Sequence, residues 1–188
     1  VSDDLREMPY AESHTIHRDP SDPHAYDGDN ALLSGLDADA LRRVAALTGP
    51  AAPVMTVVQL NHLGGALSAG TGAVGHRDAR YALRLLSGLT GGAAGDGSDT
   101  ALATVRALHA EALAAVAPWR LGRSVNFLFG GHGDRPDAAE VARSVHGADE
   151  HRRLAGLKAR HDPENVFRFH PAGAATADRT PAAATHSG

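Results

Sequence analysis

The sequence predicts an α+β fold: an antiparallel sheet flanked by helices. Three observations carry that expectation. Stretches with apolar residues at helical spacing interleave with short β-branched runs. The runs are few, and each places polar residues on one of its two faces, which suits a sheet with one solvated side better than a parallel sheet covered on both. Aromatic residues make up only 4% of the 188 residues, so the core must be built mainly from Ala, Leu and Val. A chain of this length buries roughly 70% of the surface it exposes when unfolded, which is enough for one domain or two small ones.

Residues 1–36 read as irregular. His17-Arg18-Asp19-Pro20-Ser21-Asp22-Pro23-His24 is turn chemistry, with two Asp-Pro steps that hold their Asp residues out of helix. Asp37 then caps a helix to about Thr48, with Leu41, Val44 and Leu47 at helical spacing and Gly49-Pro50 as its stop. Val54 to His62 reads as a strand. Its alternation puts Val54, Thr56, Val58 and Leu60 on one face and Met55, Val57, Gln59 and Asn61 on the other. Gly64-Gly65 ends it. Tyr81 to Leu89 fits helix or strand by periodicity, and bounding glycines at Gly88, Gly91 and Gly92 favour a strand. Residues 91–98 read as a Gly-rich loop.

Asp99 to Ala117 is expected to be the longest helix, striped by Leu102, Val105, Leu108, Ala112 and Val116 and closed by Pro118. Ser124 to Phe129 reads as a strand with Val125, Phe127 and Phe129 on one side, and Gly130 to Asp134 as a loop. A short helix from Asp137 to about His146 and another from Asp149 to Arg160 follow, the second turning Leu154 and Leu157 inward. Asp162-Pro163 breaks it, and Val166 to Phe169 is expected to pack back. All four Phe residues lie between Phe127 and Phe169, which marks that region as the expected packing centre. The 171–188 tail lacks pattern and reads as disordered.

Several function classes drop out. The net charge of −4 leaves no basic stripe for nucleic acid. No apolar run reaches the ~18 residues of a membrane span and no charged-then-apolar leader opens the chain, so a cytoplasmic location is expected. Zero cysteines exclude disulfides, thiolate metal sites and cysteine nucleophiles. His62, His76, His132, His109 and His146 invite a metal reading, but no His pair sits at i, i+4 on an expected helix, so no metal is expected. Gly70-Thr-Gly72-Ala-Val-Gly75 spells G-x-G-x-x-G without a clear strand before it and helix after it. No G-x-S-x-G exists for a hydrolase nucleophile. What remains is a set of small polar groups on strands, Gln59 and Asn61 on one and Ser124 and Asn126 on another. They read either as a solvated sheet face or as a substrate cleft.

One resemblance adds to this. Arg153-Leu-Ala-Gly-Leu-Lys-Ala-Arg-His-Asp-Pro-Glu-Asn-Val-Phe-Arg168 resembles the C-terminal signature of the berberine-bridge-enzyme-like FAD-linked oxidases, a helix of the form R-L-x-x-[IVL]-K followed by D-P-x-N-[VL]-F. Ile16-His-Arg-Asp-Pro20, Gln59-Leu-Asn-His-Leu-Gly-Gly-Ala66, His76-Arg77-Asp78-Ala79 and Val125-Asn126-Phe127 resemble further family segments in the same order. The likeness spans roughly residues 8–170.

The resemblance implies that residues 1–122 are a substrate-binding portion and residues 123–170 the C-terminal segment of a protein whose FAD is bound mainly by an N-terminal domain not in this sequence. A chain that opens on Val1 agrees with that expectation. The implied chemistry is hydride transfer from a small-molecule C–H, of alcohol, sugar or natural-product type, to flavin, with oxygen as acceptor. Implied partners are the small-molecule substrate and the flavin domain. By the resemblance, Gln59, Asn61 and Ser124 contact substrate, and Asn126, His76 and Arg77 lie near the cofactor.

A positioned base is worth typically ~10²–10⁴-fold in such a reaction. In many relatives it is a tyrosine of Y-x-N-Y, where this chain has Ser124-Val125-Asn126-Phe127, and Val74 stands where an aromatic is common. Ser124 and His62 are the remaining candidates for a catalytic role. Three alternatives stay open: a different mechanism shaped by Gln59, Asn61 and His62, a substrate that needs no base, or impaired catalysis. The competing function is a non-catalytic remnant or small-ligand-binding module. Asn165 and Phe167 are expected to be structural, as a left-handed turn residue and a core anchor.

Overall fold

The computed structural model describes residues 6–16, 24–70, 72–89, 99–128 and 138–167. Its centre is a four-stranded antiparallel sheet built from β1 (Tyr26–Leu33), β2 (Thr56–His62), β3 (Tyr81–Gly88) and β4 (Arg120–Gly122), in the order β2-β3-β1-β4. The helices are α1 (Ala38–Thr48), α2 (Asp99–Ala114), α3 (Ala138–His146) and α4 (Ala148–His161).

β1 corrects the reading of residues 1–36 as irregular. Its first half, Tyr-Asp-Gly-Asp-Asn, has turn composition, yet the strand lies between β3 and β4. Its polar side chains are matched by tertiary partners that no local pattern reveals. Asp27 pairs with Arg106 at 3.2 Å, and Asp29 with Arg123 at 3.4 Å. Asn30 is only 2% exposed.

The Asp37 side chain accepts from the Ala40 amide at 2.7 Å and so starts α1. Ala40 and Val44 face the core, whereas Leu41 turns outward, one step off the expected stripe. Asp99 opens α2 as expected. The helix stops at Ala114, because a tight turn from Ala117 to Trp119 carrying Pro118 takes over. Leu33, Leu83, Leu85, Val44, Leu113 and Val116 form the main core between the sheet and α1 and α2. A buried polar chain crosses the same layer: Thr56 Oγ1 to Ser87 Oγ at 2.8 Å, and Ser87 Oγ to His109 Nε2 at 2.9 Å.

The core therefore does not gather around the Phe residues. Phe127 is half-buried and Phe167 is 76% exposed, while Phe129 and Phe169 lie outside the described residues. Val166 and Phe167 do not pack back, and Leu157 on α4 also faces outward. Asn165 does adopt the left-handed backbone expected of it, at φ 55°. The expected strand from Ser124 onward is instead a turn, with a 3-10 segment at Val125–Phe127. The 17–23, 90–98 and 129–137 segments and the 171–188 tail lie outside the described residues.

Candidate functional site

Antiparallel pairing fixes which side chains share a face. Gln59 pairs with Arg84 across β2 and β3, and Arg84 with Asn30 across β3 and β1. The next row is Asn61, Ala82, Leu32 and Gly122. Cross-strand partners point the same way, and α1 and α2 cover the odd-numbered residues of β3. These two rows therefore form the floor of the opposite face. There they line a cleft of about 360 Å³, at the lower end of the usual range for small-molecule sites. Gly75, His76 and Arg77 on one side and Ser124, Asn126 and Phe127 on the other form its walls.

Gln59, Asn61, Ser124, Asn126, His76 and Arg77 thus share one cleft. His62 does not join them. It pairs with Tyr81 on the other sheet face and stacks on its ring at 5.2 Å, so alternation carries this candidate away from the site.

The walls are held by specific contacts. The Asn30 side chain donates to the carbonyls of Phe127 at 2.8 Å and Ser124 at 3.3 Å, and accepts from the Ser124 amide at 2.6 Å. One buried carboxamide therefore replaces the ladder that a strand at this position would have made. Opposite, Arg77 donates to the carbonyls of Leu67 and Ala69 at 3.2 and 3.0 Å, which ties its guanidinium to the preceding loop. His76 sits in left-handed backbone at φ 58° and donates from Nε2 to the Ser144 carbonyl on α3 at 2.7 Å. A carbonyl only accepts, so Nε2 carries the proton and Nδ1 is the ring's acceptor.

That contact depends on two glycines. A Cβ on Gly122 would overlap His76 Nε2 and the Ser144 carbonyl, and one on Gly75 would overlap the Val145 carbonyl. Absent side chains let α3 seat directly against β4.

Two residues were not singled out by sequence reasoning, Asn30 and Arg84. Asn30 lies in the part of β1 with turn composition. Arg84 lies in an apolar run, and there the signal was available: a charged residue flanked by Leu83 and Leu85 in a strand must face a polar or ligand-bearing side. Its guanidinium carbon lies 4.6 Å from the centre of the Phe127 ring, and its Nε is buried without a hydrogen-bond partner. Among the described residues no Asp or Glu lines the cleft.

On the helix side, burial pushes the His109 imidazole below its ordinary value, opposed by Asp29 and Asp27. His151 is also held low by burial, aided by His146 and Arg143. Among the described residues no group of three His, Asp or Glu is placed to hold a metal, and no helix is long and apolar enough to cross a membrane.

Residues 134–172 match the family model described as "Berberine and berberine like". This berberine-like segment contains α3, α4 and the turn after them. There the Asp162 carboxylate accepts from the amides of Val166 at 2.7 Å and Phe167 at 3.0 Å and from Lys158 Nζ. The hydrogen bond from Lys158 leads the effects that hold the Asp162 carboxyl below its ordinary value, and the amides add to it. The D-P-x-N-V-F pattern is thus a self-contained turn: carboxylate acceptor, proline stop and left-handed Asn165.

Among solved structures, the chain is similar to the carbohydrate oxidase from Microdochium nivale crystallised in complex with a substrate analogue, with a TM-score of 0.59 and 18% identity. The alignment covers 81% of this chain and 33% of that one, so the chain spans about a third of that oxidase. At this identity the likeness concerns the fold. No curated protein sequence matches the chain significantly.

The carboxamides of Gln59, Asn61 and Asn126 and the unpartnered Arg84 Nε suit the hydrogen-bonding edge of a flavin ring or of a substrate lying against it. The Gly70–Gly75 loop is followed by a turn and β3, so it offers no helix N-terminus for a pyrophosphate. The described residues fit one wall of a flavin site and not its nucleotide half.

Proposed function

We propose that this chain is the substrate-binding and C-terminal portion of an FAD-dependent oxidoreductase acting on a small alcohol, sugar or natural product, with oxygen as the final acceptor. The observation that carries the reading is the gathering of Gln59, Asn61, Ser124 and Asn126 on the sheet face away from α1 and α2, beside the berberine-like segment. The carbohydrate oxidase likeness supports a polyhydroxylated substrate, and the third of that oxidase spanned supports a flavin-binding partner region outside these residues. When bound, the flavin supplies the two-electron acceptor.

In this reading Gln59 and Asn61 hydrogen-bond the substrate from the rigid floor, and Ser124 does so from the wall. Asn126 and His76 face the flavin edge. Arg77 acts indirectly, by holding the Leu67–Ala69 loop. His76 Nδ1 is the acceptor left on the cleft's imidazole once Ser144 fixes the tautomer, and we assign it the substrate's hydroxyl proton.

A second reading, a ligand-binding module without redox activity, is favoured by a cleft lining that has no Tyr, Asp or Glu among the described residues. The test is to express the chain with the coding region that precedes it, record the absorbance near 450 nm, and assay peroxide release with neutral sugars and alcohols. A yellow complex that bleaches with substrate and releases peroxide is the expected result. Ligand binding without flavin or peroxide supports the module instead.

A further inference from the structure

Arg84 is a cation without a counter-charge among the described residues. It lies mid-sheet between Gln59 and Asn30, its Nε is enclosed, and none of its nitrogens bonds a described residue. A buried donor left unmade costs on the order of 1–3 kcal/mol, so such groups in native proteins call for an explanation. The acids of the sheet offer none. Asp27 and Asp29 are on the opposite face and are paired with Arg106 and Arg123. Phe127 covers one side of the guanidinium plane, which strips water from it while leaving its edge to accept a planar partner.

We propose that Arg84 is a specificity-determining residue that binds a carboxylate on the substrate, so that the cleft takes hydroxy acids such as sugar acids or carboxylated aromatic alcohols. This rests on the cleft being a substrate site, as argued above. The guanidinium fork matches the two oxygens of a carboxylate. A phosphate dianion would want further cations. The other cleft arginine, Arg77, gives Nη1 to the Leu67 and Ala69 carbonyls and keeps its own Nε buried without a partner, so it is tied to the loop wall and not to the sheet floor. Gln59, on the same row, is placed to bond a hydroxyl beside the acid group.

The test is calorimetric titration of the 188-residue chain with two matched pairs: D-glucuronate against D-glucose, and 4-(hydroxymethyl)benzoate against benzyl alcohol. The same titrations are run on Arg84→Gln and Arg84→Lys, with melting curves to show that each variant folds. The acid of at least one pair should bind tenfold or more tightly than its neutral partner. In Arg84→Gln that preference should fall below threefold, and Arg84→Lys should keep part of it. Equal binding within both pairs, no binding by either acid, or a preference that survives Arg84→Gln overturns the proposal.

A parallel assay of flavin bleaching in the flavin-loaded complex separates the two claims. Neutral substrates that bleach the flavin without any acid preference sink only the carboxylate site. Arg84-dependent acid binding without bleaching sinks the redox reading and leaves the anion site standing. An Arg84→Gln effect on flavin binding alone assigns the guanidinium to the cofactor and overturns the proposal.

Discussion

Replacing Asn30 with Ala isolates what holds the cleft wall in place. The carboxamide makes hydrogen bonds of 2.6, 2.8 and 3.3 Å to the backbone of Ser124 and Phe127 from a position 2% exposed. Each such bond contributes about 1 kcal/mol net, and buried groups left unpaired cost about 1–3 kcal/mol apiece. With the 3.3 Å contact discounted, the loss comes to roughly 2–4 kcal/mol, a large share of the ~5–15 kcal/mol that holds a domain folded. Urea denaturation gives the global figure, and hydrogen exchange at the Ser124 amide gives the local one. Asn30→Asp sharpens the test. It keeps an acceptor for the Ser124 amide but sets carboxylate oxygens against two carbonyls, so it should protect that amide while still destabilising the Phe127 side. A loss below about 1 kcal/mol, or unchanged Ser124 protection in Asn30→Ala, would refute the idea that one side chain substitutes for a strand ladder.

Three further outcomes are expected. Gly122→Ala should cost about 1–3 kcal/mol by overpacking, and loss of the His76–Ser144 hydrogen bond should appear as a shifted His76 ring resonance. Stability should fall as pH drops below the ordinary histidine value of 6.5, because the unfolded chain then takes up protons that folded His109 and His151 resist. His109→Gln should flatten that slope in denaturation measured from pH 7.5 to 5, and His109→Gln with His151→Gln should flatten it further. Asp162→Ala should abolish hydrogen-exchange protection at Val166 and Phe167. In the unaltered chain that protection should hold above the ordinary carboxyl value of 3.8 and disappear as pH falls through the lowered folded value.

The parts of the fold legible in the sequence are those whose causes are local. Asp37 caps its helix within three residues, and β2 declares its faces by alternation, so the sequence alone puts Gln59 and Asn61 on one side. β1 was hidden for the opposite reason. Tyr-Asp-Gly-Asp-Asn becomes a central strand only because Arg106, Arg123 and the Ser124–Phe127 turn come to it from far along the chain. The same long reach turned the expected strand at Ser124 into a turn, since Asn30 supplies the bonds that a neighbouring strand would have supplied. The Phe-rich region was misjudged because aromatic content marks a core only where something covers it, and Phe167 has no such cover among the described residues.

The site itself was legible as residue types and not as a charge pattern. The sheet sorts its ionised groups by face. Asp27 and Asp29 lie under α2 with arginine partners, whereas the cleft keeps Arg84 and Arg77 with no acid among the described residues. Alternation alone produces this sorting on β1 and β3, because Asp27 and Asp29 are odd-numbered and Arg84 pairs with even-numbered Asn30. A one-residue slip of β3 would turn Arg84 into the apolar layer beside Leu113 and Val116, at a cost no domain of this size could meet. The register that protects the core is therefore also the register that delivers Arg84 to the cleft, so the fold and the proposed specificity rest on one choice of pairing.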